Sequence, residues 1–264
     1  MYVSQDTTRW FHTPLRGASP RHRLVCFPHA GAGGAVYHAW ADRFHEQGIE
    51  LWALQPPGRG ARLSEPPCLS LDSLLSMIVP RLREIPPPYS FFGHSLGALV
   101  AFEAACALRD IGAVQPTRLY VSGLEAPCVR RLIEPPVHGL EDRAFIDAVA
   151  TRYGGIPDEV LAHEELLELV LPALRADLTI VETYTHRTRA PLDLPIAAYV
   201  GEDDASVRLD AWAEWRQHTS RGLAKKIFSG GHFYLQTHRD ALIDDVIRTI
   251  LTLDAPPSRR PADS

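Results

Sequence analysis

Lysine is nearly absent from this 264-residue chain: Lys225 and Lys226 are the only two, and arginine supplies the rest of the 27 basic residues. Against 32 acidic residues the formal charge is −5, so the strongly basic surface needed for a sequence-independent grip on nucleic acid has no support. The arginine excess, with 22 prolines and abundant alanine, reads first as a coding bias toward G and C and only second as chemistry. No apolar run reaches the roughly 18 residues of a membrane-spanning helix. The first twenty residues, MYVSQDTTRWFHTPLRGASP, contain neither the apolar segment nor the small-residue cleavage site of a secretory signal. These absences lead us to expect a cytoplasmic protein with no membrane or nucleic-acid partner. Cysteine is scarce too. Cys26, Cys68, Cys106 and Cys128 are far apart, without C-x-x-C spacing or paired histidines, so they suggest no zinc or redox site. They are read as reduced, with Cys26 and Cys106 in the core.

What is present is an ordinary globular composition. Hydrophobic residues at 45% and charged residues at 22% exclude a disordered chain, a collagen-like repeat and a coiled coil. The length admits one α/β domain or two small ones, burying roughly 70 to 75% of the surface of the unfolded chain. Strand and helix patterns alternate in the first half, which predicts parallel strands joined by crossover helices. Apolar runs at Arg23 to Phe27, Ile49 to Leu54, Ser90 to Gly93, Arg118 to Gly123, Ile196 to Gly201 and Ala224 to Ser229 read as strands. Helical spacing marks Leu71 to Arg83, Leu96 to Asp110 and Arg239 to Leu253. The Pro- and Arg-rich tail from Ala255 is expected to be disordered.

Between Ser122 and Tyr184 the rhythm changes to helical spacing without a strand. Leu140 to Tyr153 predicts a helix stopped at Gly154 and Gly155. Pro157, with Asp158 and Glu159, opens a short one, and His163 to Tyr184 predicts a longer helix that Pro172 should kink or split. An excursion too small to own a core reads as a lid, about residues 126–186, on a single domain spanning 1–254.

Gly93-His94-Ser95-Leu96-Gly97 matches G-x-S-x-G between an apolar strand and an alanine-rich helix, the context in which a strained turn lifts a serine hydroxyl above a sheet. Such a serine needs a base held by a carboxylate, in chain order Ser, acid, His. His232, on the loop after the last strand, fits the base. His29 and His94 precede the acid, His186 follows the insertion, and His218 and His238 fall on predicted helices. The turn Gly201-Glu202-Asp203-Asp204 follows a strand. Asp204 is our choice of acid, with Asp203 its rival. Backbone N–H groups must meet the oxyanion: that of Leu96, after the nucleophile, and that of Ala30, in the glycine-rich loop Phe27 to Gly34. This loop lacks the phosphate-binding patterns G-x-x-x-x-G-K-[ST] and G-x-G-x-x-G. His29, His94 and Phe233 are candidates for the substrate pocket, and no metal site is expected.

Several segments together resemble a family: FPHAGAGG at Phe27, QPPGRGAR at Gln55, FFGHSLGALVAFEAA at Phe91, LPALRADLTIVETY at Leu171, the GEDD turn, and FSGGHFYL at Phe228. From about Trp10 to Leu253 the chain is similar to type II thioesterases, the free-standing editing enzymes of polyketide and non-ribosomal peptide synthases. The resemblance implies an α/β-hydrolase fold with a mostly parallel sheet and a helical lid. It also implies hydrolysis of acyl thioesters held on the phosphopantetheine arm of an acyl or peptidyl carrier protein; we expect no cofactor and a monomer. Ser95 then forms the acyl-enzyme, His232 relays protons, Asp204 orients it, and Ala30 and Leu96 hold the oxyanion. Leu124 and Glu125 stand where relatives often carry arginines. Arg59, Arg62, Arg130 and Arg131 are read first as solvated surface arginines, with pairing to the phosphate or to acidic carrier helices as the alternative. Rival readings are an oxygen-ester hydrolase or acyltransferase of the same fold, and an inactive scaffold.

Overall fold

The computed structural model describes residues 3–129, 135–154, 161–209 and 211–253. Arg130, Arg131, the short helix at Pro157 and the tail from Ala255 lie outside them. In chain order the elements are α1 (Gln5–Trp10), β1 (Phe11–His12), β2 (His22–Phe27), α2 (Ala41–Glu46), β3 (Ile49–Leu54), α3 (Leu71–Leu82), β4 (Tyr89–His94), α4 (Leu96–Asp110) and β5 (Leu119–Ser122). There follow α5 (Asp142–Tyr153), α6 (Glu164–Thr183), β6 (Ile196–Gly201), β7 (Leu223–Phe228), α7 (Tyr234–Thr237) and α8 (Arg239–Leu253). Each strand expected from an apolar run is present, with ends moved by a residue or so. The two-residue β1 is too short for any periodicity to announce it.

The seven strands form one sheet in the order β1-β3-β2-β4-β5-β6-β7. All pairs are parallel except β1 with β3, where Phe11 faces Leu54. Parallel strands covered on both faces read as continuous apolar runs, and alternate side chains divide between two cores. Val25, Phe27 and Phe91 join the cluster under α3, α4, α5 and α6, whereas Leu24, Cys26 and Phe92 join the one under α2 and α8. Burying each such Leu or Phe contributes roughly 1.5–3 kcal/mol, so the layers hold without a crosslink, and all four cysteines are free thiols.

Register decides where function can gather. Phe27 pairs with Gly93, His94 with Ser122, and Gly201 with Phe228, so neighbouring strands end level and their following loops share one edge. That carboxyl edge is where parallel sheets place their sites. The insertion lies between β5 and β6 and contributes α5 and α6. Pro172 does not split α6, which runs unbroken through it. Leu171, Leu174, Leu178 and Val181 recur on one buried face of that helix, and their burial exceeds the roughly 3 kcal/mol a helical proline costs.

Candidate active site

β4 runs into α4 through Ser95, whose φ of 56° and ψ of −121° make it the one non-glycine with positive φ among the described residues. Such a backbone costs on the order of 1–3 kcal/mol and persists only where its surroundings impose it. Here they do. A Cβ on Gly93 would lie 2.1 Å from the Gly97 carbonyl oxygen, and one on Gly97 would lie 2.0 Å from that of Phe27. The Ser95 N–H donates to the Ser122 carbonyl at 2.8 Å, fastening the turn to the end of β5.

The acid turn and the histidine loop are held together through their backbones. Glu202 N–H donates to the Phe228 carbonyl at 2.7 Å and Asp203 N–H to that of Gly230 at 3.0 Å. A Cβ on Gly201 would lie 2.4 Å from the Gly231 oxygen, so this approach requires glycine. The turn thereby sends Asp203 into solvent and Asp204 inward. Asp204 Oδ2 accepts from His232 Nδ1 at 2.8 Å, and its Oδ1 accepts from the Ser206 N–H and Oγ at 2.9 and 2.6 Å. Both residues are buried, at 5% and 7% exposure. Burial pushes the Asp204 carboxyl upward, but the hydrogen bond and charge of His232, with the two bonds from Ser206, more than offset it and leave it below its usual range. Asp204 therefore stays ionised and holds the His232 Nδ1–H, leaving Nε2 to act as a base. Farther along, Glu125 accepts from the Arg208 N–H and Nε at 2.9 and 3.0 Å. This carboxylate thus steadies the acid loop.

Ser95 and His232 line one cavity of about 260 Å³, together with His29, Ala30 and Phe233 from the core loops and Val149, Leu171, Leu174, Leu178 and Val181 from the insertion. His29 donates through Nδ1 to the Ala30 carbonyl at 3.1 Å, its ring edge-on to Phe233. Burial is the chief reason its pKa drops to about 4, so the imidazole is neutral. His94, expected in the pocket, is elsewhere: it is fully buried beneath the site, bonded through Nδ1 to Ser122 Oγ and packed 4.9 Å from the His232 ring. The alternation of β4 turns it away from the cavity once Ser95 faces it, and burial holds it well below its ordinary pKa. It packs against the His232 ring from below instead of lining the cavity. Gly123 makes room for this, since a Cβ there would meet His94 at 2.6 Å.

Two arginines expected at the surface are interior. Arg62 pairs with Glu65 through Nε and Nη2 at 2.9 and 2.6 Å and lies over the Trp10 ring. Arg59 pairs with Asp177 of α6 and donates to two carbonyls. The flat guanidinium fork satisfies several buried acceptors at once, which a solvated role leaves unused. Reasoning from sequence missed Asp177 and Ser206 as site neighbours. Asp177 had a signal: a lone carboxylate three residues after Leu174, within the apolar stripe of its helix. Among the described residues no cluster of three or more His, Cys, Asp or Glu is arranged to hold a metal ion, and no helix is long and apolar enough to cross a membrane.

Comparison with known proteins places this geometry. The profile of the thioesterase domain family matches residues 22–250. The chain is 40% identical over 262 residues to thioesterase PikA5 of Streptomyces venezuelae, covering 98% of this chain and 91% of that one. It is 31% identical to the gramicidin S biosynthesis protein GrsT of Aneurinibacillus migulanus, covering 97% and 98%. Among solved structures, the type II thioesterase BorB from the borrelidin biosynthetic cluster superposes with a TM-score of 0.83 at 34% identity, over 90% of this chain and 96% of that one. With a strained serine at the end of a parallel sheet and a hydrogen-bonded histidine and carboxylate at the same edge, the chain belongs to the thioesterase domain family, as a serine hydrolase that acts on thioesters.

Proposed function

We propose that this protein is a type II thioesterase that removes acyl groups from the phosphopantetheine arm of acyl or peptidyl carrier proteins, clearing stalled or wrong units from a polyketide or non-ribosomal peptide synthase. The observation that carries the chemistry is the hydrogen bond of Asp204 to His232 in a cavity that also receives the strained Ser95. The carrier substrate rests on the type II thioesterase BorB and on the biosynthetic setting named for GrsT.

In this reading Ser95 Oγ attacks the thioester carbonyl carbon while His232 Nε2 takes its proton. The Ala30 and Leu96 N–H groups stabilise the oxyanion. The C–S bond breaks, the departing thiolate takes the proton from His232, and Ser95 carries the acyl group as an ester. Water then gives a proton to His232 and attacks that ester, and the second tetrahedral adduct collapses to the free acid and a reprotonated Ser95. Asp204 stabilises the imidazolium in both halves. The apolar wall of α5 and α6 suits a hydrocarbon acyl chain, with residues 126–186 acting as its lid in a domain that runs from 1 to 254. A second cavity of about 180 Å³ shares His29, Val36 and Gln236 with the first and extends to Arg239, giving room for a long arm. No cofactor enters these steps, and the reading is of a cytoplasmic monomer.

The test is intact-mass measurement of an acylated carrier protein incubated with the enzyme and with Ser95→Ala. The acyl mass should disappear with the wild type alone, the variant losing on the order of 10⁶-fold in turnover. An inert carrier alongside fast cleavage of p-nitrophenyl esters refutes the editing role in favour of an ester hydrolase.

A further inference from the structure

Asp177 is a carboxylate in a place built for hydrocarbon. It follows Leu174 by three residues and precedes Leu178, both of which line the cavity beside Ser95, yet it is 4% exposed. Two groups meet it. Its Oδ2 accepts the Gly31 N–H at 2.7 Å, and Arg59 grips both oxygens, Nη1 on Oδ2 and Nη2 on Oδ1 at 3.0 Å. Arg59 Nη1 also donates to the Ala32 carbonyl at 3.2 Å.

These contacts converge on one peptide unit. The amide plane between Ala30 and Gly31 has its N–H held by Asp177 and its carbonyl held by His29 Nδ1 at 3.1 Å. With both edges clamped, the direction of the Ala30 N–H follows from the φ and ψ of Ala30 alone. Gly31 has φ of +77°, and a Cβ there would lie 3.1 Å from Leu174 Cδ1, so α6 rests directly on this turn. A buried ion pair is a poor device for stability, because desolvation offsets much of its attraction and an apolar pair does about as well. An apolar pair cannot orient a peptide group.

We infer that Arg59 and Asp177 are a positioning pair for the oxyanion loop. The helical insertion thereby sets the aim of a donor that belongs to the core. The inference rests on the reading of Ser95 as nucleophile and Ala30 as oxyanion donor.

Three variants separate positioning from mere support. Asp177→Ala removes the acceptor and the charge; Asp177→Asn keeps an acceptor for Gly31 but not the charge facing Arg59; Arg59→Lys keeps a cation but not the fork. For each, active sites are counted by end-point labelling of Ser95 with a fluorophosphonate. Then kcat and KM are measured on a small acyl thioester, and affinity on a trifluoromethyl ketone whose Ser95 adduct places an oxyanion in the same hole. In Asp177→Ala, kcat per labelled site should fall about 100-fold, the scale of losing one oxyanion donor, with KM within about threefold and ketone affinity reduced in parallel with kcat/KM. The other two variants should fall between this and the wild type, and they carry the test if Asp177→Ala does not fold. Wild-type kcat per labelled site and unchanged ketone affinity, with only the labelled fraction reduced, overturn the inference and leave a structural pair. A Ser95→Ala enzyme that still hydrolyses the thioester refutes instead the reading of the site on which the inference rests.

Discussion

The two walls of the cavity are built by different means. On the core side, Ser95, Gly123, Glu202 and Asp203 each donate a backbone N–H to a carbonyl of a neighbouring strand end or loop. Glycines at 93, 97 and 201 let these backbones approach closer than any side chain allows. On the insertion side, α5 and α6 meet the core through Val149, Leu171, Leu174 and Leu178, and through the carboxylate of Asp177, which takes the Gly31 N–H. Glu182 takes the N–H groups of Val137 and His138 within the insertion itself. Backbone-to-backbone bonding fixes position whatever the side chains become, whereas apolar contact and side-chain caps tolerate repacking. The wall proposed to perform the chemistry is therefore expected to be intolerant of change, and the wall proposed to receive the acyl chain to be adjustable.

The comparison can be broken first at the acid. Asp204→Asn should lower kcat by roughly 10⁴-fold with the protein still folded by circular dichroism, because the amide leaves His232 in the wrong tautomer. Asp203→Asn, in solvent one residue away, should stay within about threefold. The reverse pattern would mean that the backbone pairing does not decide which carboxylate works.

A smaller effect sharpens the other wall. Leu178→Ala, 3% exposed and lining the cavity, should cost about 2–4 kcal/mol in chemical denaturation. In a series of acyl thioesters it should reduce kcat/KM for the longest chains by roughly tenfold, while the shortest change little. Equal losses at every length would show that this wall governs the chemical step itself, just as the core wall does.

The smallest effect is read in pH. His29 has an ordinary pKa of 6.5 that burial lowers to about 4 in the fold. Between those values the unfolded chain takes up a proton that the folded chain refuses, so stability declines as pH falls through that window. His29→Gln should flatten part of this slope in denaturation midpoints measured from pH 7 to 4, and an unchanged slope would remove His29 as a contributor.

Much of the core wall is legible in the chain itself. A strand leading into G-x-S-x-G and a histidine loop after the final strand are local patterns, and their order along the chain carries the order of the triad. Turn spacing favours Asp204 over Asp203, and the fold turns the same side chain inward because the Gly230 carbonyl captures the Asp203 N–H. The insertion side is less legible. The Pro172 signal is local, and the burial of the apolar face of α6 outweighs it. His94 sits one residue from Ser95, and adjacency along a strand means opposite faces.

Local periodicity was enough to determine the fold class and to point to the edge of the sheet and the residue types proposed for the site, because strand, elbow and loop preferences act over a few residues. Tertiary structure alone decided which charges are inside. Arg59 and Asp177 are 118 residues apart in the chain, and no local pattern says that they meet. Only their meeting makes burial of either charge possible, because a lone ion in that interior would be too costly to keep.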